Sequence, residues 1–82
     1  MSKNHNKAFG IVLSRLRHQR NVSQEVLGFD ADLTRAYISL LERGQRSPTL
    51  DTLFQIGRAL DVPITEIASL ILAELRDGTN GS

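Results

Sequence analysis

The chain has no cysteine, no tryptophan and only two histidines among its 82 residues. Because there is no thiol, disulfides and thiolate metal sites are excluded, and His5 and His18 are expected to be separate surface residues. The longest apolar stretch, 67–73, is interrupted by Ser69 and is far shorter than the roughly 20 residues that span a bilayer. Residues 1–7 are polar and are not followed by the apolar core of a signal peptide. We therefore expect a soluble, cytoplasmic protein with no metal and no cofactor.

An excess of one charge is also lacking, since the formal net charge is only +1. The distribution of charge along the chain is nevertheless uneven. Residues 1–20 contain five basic side chains and no acidic one, whereas residues 47–82 contain five acidic and two basic ones. A basic end can present a face suited to phosphate, although ordinary solvated surface charge explains the same pattern equally well.

What the sequence does contain is hydrophobic periodicity typical of helices, with no alternating stretch long enough to predict a strand. Ser23, Thr34 and Thr49 are suitable N-caps, because their side-chain oxygens can accept from free N–H groups of a first turn. Gly44 and Gly78 are expected to end helices. These signals predict an all-α chain of helices over Lys7–Arg20, Gln24–Ala31, Arg35–Arg43, Leu50–Leu60 and Thr65–Arg76.

The chain is predicted to be one domain over residues 7–77, flanked by a flexible arm (1–6) and a flexible tail (78–82). The second and third helices are short and joined by a tight turn. This is the helix-turn-helix unit, whose second helix can enter a DNA major groove. The side chains spaced to hold the two helices together are Leu27, Ala31, Leu33, Ile38 and Leu41, with Gly28 where the helices cross.

Four linked motifs lie between residues 22 and 53. They are Ser23-Gln24-Glu25, Tyr37-Ile38-Ser39, Glu42-Arg43-Gly44 and Ser47-Pro48-Thr49-Leu50. With these motifs at this spacing, the chain over about residues 8–68 resembles the Cro/CI-type, or XRE, family of helix-turn-helix regulators. The resemblance implies a five-helix λ-repressor-like fold and sequence-specific binding of double-stranded DNA. The chain departs from the family pattern at Asp32, where the turn usually has a left-handed glycine.

The outer face of the third helix is expected to read bases, because the N-terminal residues of such a helix lie nearest the base edges. Arg35 can form a bidentate contact with guanine, Ala36 can contact a thymine methyl group and Ser39 can pair with either base type. Leu40 either contacts a thymine methyl group or packs partly inward. The predicted base-reading set is Thr34, Arg35, Ala36, Ser39 and Arg43, of which Arg43 reaches a base or a phosphate.

Phosphate contacts are expected to flank the reading helix. The resemblance assigns a backbone contact to Gln24, and the start of a helix also favours an anion. The role of Tyr37 is ambiguous from the sequence. Its ring can pack against the second helix while its hydroxyl contacts a phosphate. The resemblance also implies a structural salt bridge between Arg17 and Glu42. The predicted phosphate-contacting set is Gln24, Tyr37, Gln45, Arg46, Ser47 and Thr49.

The fifth helix has more apolar residues than one narrow stripe requires. One side is expected to close the core and the other to form a homodimer interface, unless every residue belongs to the monomer's own core. A dimer would present two reading helices about 34 Å apart and would recognise a near-palindromic operator. The predicted interface residues are Ile67, Leu70, Ile71, Leu72 and Leu75.

The sequence favours a transcriptional regulator of the repressor or controller type without enzymatic activity. It contains no catalytic triad, Gly-rich phosphate loop or metal constellation. The alternative is an antitoxin, or another protein-interaction module, that uses the same fold to hold a toxin or another protein. Arg35, Arg43 and Arg46 on the predicted DNA face favour the regulator, because an interaction module has no need of a basic face there.

Overall fold

The computed structural model describes residues 4–80, with side chains for residues 4–77. This part of the chain forms five helices and no strand, so the all-α prediction is confirmed. None of these helices is long and apolar enough to cross a membrane. The helices are α1 (Asn4–Gln19), α2 (Gln24–Ala31), α3 (Arg35–Glu42), α4 (Leu50–Leu60) and α5 (Ile64–Asn80).

The two outer helices are longer than the sequence pattern indicates. Helix α1 begins at Asn4, and Asn6, expected in a flexible arm, is only 6% exposed. Helix α5 continues through Gly78, which was expected to end it. A glycine costs a helix only about 1 kcal/mol relative to alanine, so it ends a helix only where the backbone turns left-handed. The rest of the expected arm and tail, residues 1–3 and 81–82, lies outside the described residues.

The expected N-caps are present at the starts of α2, α3 and α4. The hydroxyls of Ser23, Thr34 and Thr49 each accept from the backbone N–H three residues later, at 3.0 Å. Each bond satisfies one of the four N–H groups that a first helical turn leaves unpaired. These bonds fix where the three helices begin.

Helices α1 to α4 all end in the same left-handed turn. One residue after each helix has a φ between 58° and 73°, and the next N–H donates to the carbonyl five positions earlier. This arrangement is the Schellman motif, which satisfies carbonyls left over at a helix end. The left-handed conformation expected at Asp32 and the stop expected at Gly44 are therefore confirmed. The left-handed residues are Asn21, Asp32, Gly44 and Asp61.

The core lies where α1 packs against α3 and α5, and α2 packs against α3 and α4. As expected, Leu27, Ala31, Ile38 and Leu41 are buried, each at most 1% exposed. Backbones approach closely at several glycines, among them Gly10 of α1 and Gly28 of α2. A Cβ at Gly10 would lie 2.5 Å from the Glu42 carbonyl oxygen, and one at Gly28 would lie 2.7 Å from the Leu33 carbonyl oxygen. These contacts set α1 and α2 directly against α3 and the turn before it.

The apolar residues of α5 mostly serve the monomer. Ile67 is only 1% exposed and belongs to the core, so it cannot contribute to a dimer surface as expected. Leu70 and Ile71 are half-buried and pack against the same core. Of the predicted interface residues, Leu72 is largely exposed, at 60%, and Leu75 is half-buried. The excess of apolar residues on α5 is therefore used mainly to cover α1 and the core.

Candidate nucleic-acid interface

The outer face of α3 forms one side of an open groove. Of the expected base-reading residues, Thr34, Arg35, Ala36 and Arg43 are exposed and Ser39 is half-buried. The groove also includes Leu40, which is half-buried, so this residue lies on the outer face rather than in the core. The residues that line the groove are Gln24, Arg35, Ala36, Ser39, Leu40 and Arg43. An eight-residue helix thus presents a surface about two turns long with an arginine near each end.

The two arginines of this groove differ in how they are held. Arg43 follows the last helical residue, and its Nε donates to the Ser39 carbonyl oxygen at 3.3 Å. Within the described part of the chain, the Arg35 guanidinium has no hydrogen-bond or ion-pair partner. Arg35 lies in the first turn of α3, where its five N–H donors are available to a ligand.

Behind this face, Arg17 and Glu42 form a bidentate ion pair. The Arg17 Nε and Nη2 atoms donate to the two Glu42 carboxylate oxygens at 2.6 and 3.1 Å. Their side chains are only 11% and 8% exposed. The hydrogen bond to Glu42 raises the pKa of Arg17 despite the opposing effect of burial. Arg17 also donates to the Val22 carbonyl oxygen at 3.0 Å, so it connects α1, the turn before α2 and the end of α3.

Gln24 is part of the same network. Its side-chain Nε2 donates to a Glu42 carboxylate oxygen at 3.0 Å, so one amide hydrogen is committed inside the protein. The other amide hydrogen is left for a ligand in the groove that Gln24 lines. Gln24 is also the first residue of α2, where backbone N–H groups lack intrahelical partners. The side chain of Gln24, for which the resemblance predicts a phosphate contact, is therefore already oriented by Glu42.

Tyr37 points towards α4 rather than into the groove of α3. Its ring packs against the core, and its hydroxyl lies 3.4 Å from the Thr52 hydroxyl. The Thr52 hydroxyl lies 2.9 Å from the hydroxyl of Thr49, the N-cap of α4. This chain of hydroxyls leads to the surface at the start of α4. Arg46 lies over the Tyr37 ring, with its guanidinium carbon 5.9 Å from the ring centroid, within the range of a cation–π contact.

The loop between α3 and α4 lies beside this tyrosine. Gln45, Arg46, Ser47 and Thr49 are all exposed. The Schellman turn at Gly44 directs the chain out of α3 and into this loop. The structure therefore places the expected phosphate-contacting residues in two groups, with Gln24 at one side of α3 and the loop at its C-terminal end.

One part of the surface was missed by the sequence analysis. A second open groove joins the outer side of α1 to α3 and includes Ile11, Ser14 and Arg15 together with Arg43. Ile11 is 41% exposed. Periodicity identifies only the buried stripe of α1, and nothing local indicates that its other side adjoins α3. The Arg15 guanidinium is paired with the Glu74 carboxylate of α5 at 3.1 Å, so its positive charge is already partly neutralised.

Comparison with known proteins agrees with this geometry. A family model described as helix-turn-helix matches residues 13–67. The control protein C.BamHI of Bacillus amyloliquefaciens is 43% identical over 63 residues, which cover 76% of this chain and 78% of that protein. The restriction–modification controller protein C.AhdI from Aeromonas hydrophila has a crystal structure similar at a TM-score of 0.74 and 37% identity, covering 76% of this chain and 94% of that one.

A third relative has been solved with DNA. The controller protein C.Esp1396I, crystallised as a tetramer with its natural 35-base-pair operator, is similar at a TM-score of 0.78 and 27% identity, covering 85% of this chain and 92% of that one. The chain therefore belongs to the XRE-type helix-turn-helix family. The protein is a DNA-binding transcriptional regulator.

Proposed function

We propose that this protein binds a near-palindromic operator as a homodimer, with α3 of each copy in the major groove. The observation that carries the proposal is the outer face of α3, where Arg35 is exposed and unpaired within the described residues. A helix that enters the major groove places its N-terminal residues nearest the base edges. Arg35 occupies that position, and the groove beside it extends to Arg43.

The proposed base contacts follow from the chemistry of each side chain. Arg35 donates two hydrogen bonds to the O6 and N7 atoms of guanine, and Ala36 contacts a thymine methyl group. Ser39 bonds to either base type, and Thr34 and Arg43 contact the two ends of the half-site. Leu40, which lines the same groove, provides a second apolar contact for a thymine methyl group. Of these contacts, the bidentate pairing of Arg35 is the most sequence-specific.

The proposed phosphate contacts lie on both sides of α3. Gln24 and the free N–H groups at the start of α2 hold one phosphate, where the helix dipole favours an anion. Gln45, Arg46, Ser47 and Thr49 hold the phosphates that follow. The Tyr37 hydroxyl contributes indirectly. It lies next to the Thr52 hydroxyl, which in turn lies next to the hydroxyl of Thr49. These contacts set the orientation of the protein and carry no sequence information.

The proposed type of regulator is a controller protein. The support is the 43% identity with a control protein and the 37% identity with a structurally similar restriction–modification controller. Operator binding by more than one copy is supported by C.Esp1396I, which was solved as a tetramer on its operator.

The test is selection of binding sites from a random duplex library with the purified full chain. The expected result is enrichment of two inverted half-sites about one helical turn apart. The variant Arg35→Ala should relax one position in each half-site. The matched control is Arg76→Ala, an exposed arginine on α5, which should select the same sites as the wild type. Weak, salt-sensitive binding without enrichment would contradict the proposal and favour a protein-interaction module.

A further inference from the structure

The open groove between α1 and α3, which we call the α1–α3 groove, adjoins the outer face of α3. It shares Gln24, Ser39 and Arg43 with the groove along that face. The two grooves are therefore parts of one continuous surface around the exposed side of α3. On the side of α1 this surface is lined by Gly10, Ile11, Ser14 and Arg15.

The charge available in the α1–α3 groove is positive. Among the described residues that line it, Glu42 is the one acid, and Arg17 and Gln24 donate to its carboxylate at 2.6, 3.1 and 3.0 Å. Arg15 and Arg43 line the same groove and are both exposed. Because a DNA strand carries a negative charge at every nucleotide, its backbone is the partner that this charge distribution attracts.

Arg15 is held in the free protein by a single weak contact. Its Nη2 donates to the Oε1 atom of Glu74 on α5 at 3.1 Å, and the two side chains are 51% and 21% exposed. An ion pair this exposed contributes little, because water screens it and two long side chains lose conformational freedom. The guanidinium has five N–H donors, of which this contact uses one. Arg15 can therefore exchange Glu74 for another anion at low cost.

The other two arginines in this part of the chain are committed to the fold. Arg17 is held by Glu42 and by the Val22 carbonyl oxygen. Arg20, just after α1, donates to the carbonyl oxygens of Leu60 and Asp61 at 2.7 and 3.3 Å, at the end of α4. Within the described residues, Arg15 makes no such bond to backbone. Its side chain is therefore the one of the three that a ligand can recruit without disturbing the helices.

We propose that Arg15 is a further DNA-contacting residue, which binds a backbone phosphate in the α1–α3 groove and which Glu74 occupies in the free protein. This inference rests on the proposed entry of α3 into the major groove and adds a contact from α1. On binding, the guanidinium leaves the carboxylate for a phosphate oxygen of the strand that Gln24 contacts. Glu74 thus lowers the affinity for every duplex alike, since a phosphate contact carries no sequence information.

The first test is the salt dependence of binding, measured by fluorescence anisotropy with the full chain and the selected operator. Arg15→Ala should weaken binding by about fivefold at about 0.15 M salt and lower the slope of log K against log salt by about 0.9 for each bound copy. Arg15→Lys keeps a point charge that can bind phosphate, so it should retain most of the slope. The matched control is Arg76→Ala, at an exposed arginine on α5, which should leave the slope unchanged.

The second test removes the competing carboxylate. Glu74→Gln should strengthen DNA binding by about two- to fivefold, which is what an exposed ion pair is worth. In the Arg15→Ala background, the same substitution should have no more effect than Asp77→Asn, which removes an exposed negative charge near the end of α5. A purely structural pair behaves differently, because breaking it from either side would then change binding in the same direction. Thermal melting checks that each variant keeps its fold.

The outcomes distinguish this inference from the proposed function. A wild-type salt slope in Arg15→Ala, or weaker binding by Glu74→Gln, would overturn the inference. Equal strengthening by Glu74→Gln with and without Arg15 would show a general charge effect and overturn the exchange. Loss of affinity by Arg15→Ala for one sequence only would overturn the assignment to phosphate.

Because phosphate contacts do not depend on sequence, the same measurements can be made on an unrelated duplex. If Arg15→Ala weakens and Glu74→Gln strengthens binding to that duplex while the wild type selects no site, the inference stands and the proposed function fails. If the wild type selects inverted half-sites but the two variants bind as it does, the proposed function stands and the inference fails.

Discussion

The inner and outer faces of α3 differ in what holds their side chains. On the inner face, Ile38 and Leu41 are fully buried and Glu42 is held by Arg17 and Gln24. On the outer face, Arg35 and Ala36 are exposed, and Arg35 has no partner within the described residues. The eight residues of α3 therefore have two roles. The helical period of 3.6 residues places those that hold α3 against the core on one face and those that can contact a ligand on the other. Substitutions on the two faces should have separable effects.

The largest effect is expected at the ion pair of the inner face. Glu42→Ala leaves the Arg17 charge buried and unpaired, which should lower the free energy of unfolding by about 3–5 kcal/mol. Thermal melting measures this loss. The matched control is Glu74→Ala at the exposed Arg15–Glu74 pair, where screening should limit the change to about 0.5 kcal/mol. Similar losses in the two variants would show that Glu42 has no special structural role.

Within the neutral range, the pH dependence of stability should not reveal the charge of Arg17. The pKa of Arg17 is raised by its hydrogen bond with Glu42. A raised pKa means that the stabilisation is present below the ordinary pKa of arginine and is lost only as pH rises through the raised value. Within the neutral range, the Arg17 contribution should therefore be constant, which melts at several neutral pH values can check.

A smaller effect is expected where α1 meets α3. Gly10→Ala would place a Cβ 2.5 Å from the Glu42 carbonyl oxygen and 2.6 Å from the Leu41 carbonyl oxygen. Because both atoms belong to backbone, the helices must separate, at a cost of about 1–3 kcal/mol in unfolding free energy. Urea denaturation measures this cost, with Ser14→Ala on the same helix as control. A Gly10→Ala variant as stable as Ser14→Ala would mean that the approach is looser than the distances indicate.

On the outer face the effect should fall on binding instead of stability. Arg35→Ala should lose about 1–3 kcal/mol of discrimination at one base position, while its melting temperature stays close to that of the wild type. Fluorescence anisotropy with the selected operator and a single-base variant measures this discrimination. If Arg35→Ala weakens binding equally to both duplexes, Arg35 contacts phosphate and does not read a base.

The smallest effect on stability is expected in the two turns that flank α3. Asp32 has a φ of 60°, so Asp32→Gly should relieve left-handed strain and raise stability by about 0.5–1 kcal/mol. Gly44→Ala should change stability in the opposite direction, since Gly44 has a φ of 73° and lies close to the Lys7 backbone. Chemical denaturation of both variants tests the pair. Destabilisation by Asp32→Gly would indicate that the aspartate side chain itself supports the turn.

The limits of sequence-based prediction follow the range of each signal. The bounds of α2 and α4 were predicted correctly, because Ser23 and Thr49 cap them and left-handed residues end them. The end of α5 was predicted wrongly, because a glycine such as Gly78 can either end a helix or lie within one. Which apolar residues stay exposed could not be derived from apolar content, because Ile67 in the core and Phe54 at the surface carry the same kind of signal.

The sequence by itself determined the order, type and most ends of the helices, because caps and left-handed turns act through hydrogen bonds only a few residues apart. It also determined which residues α3 can present, through the helical period. Only the tertiary structure decided that Gln24 is held by Glu42, that Tyr37 turns towards Thr52, and that α2 and α4 each leave a pair of apolar side chains exposed. These outcomes depend on contacts between residues distant in the chain, so no local pattern encodes them.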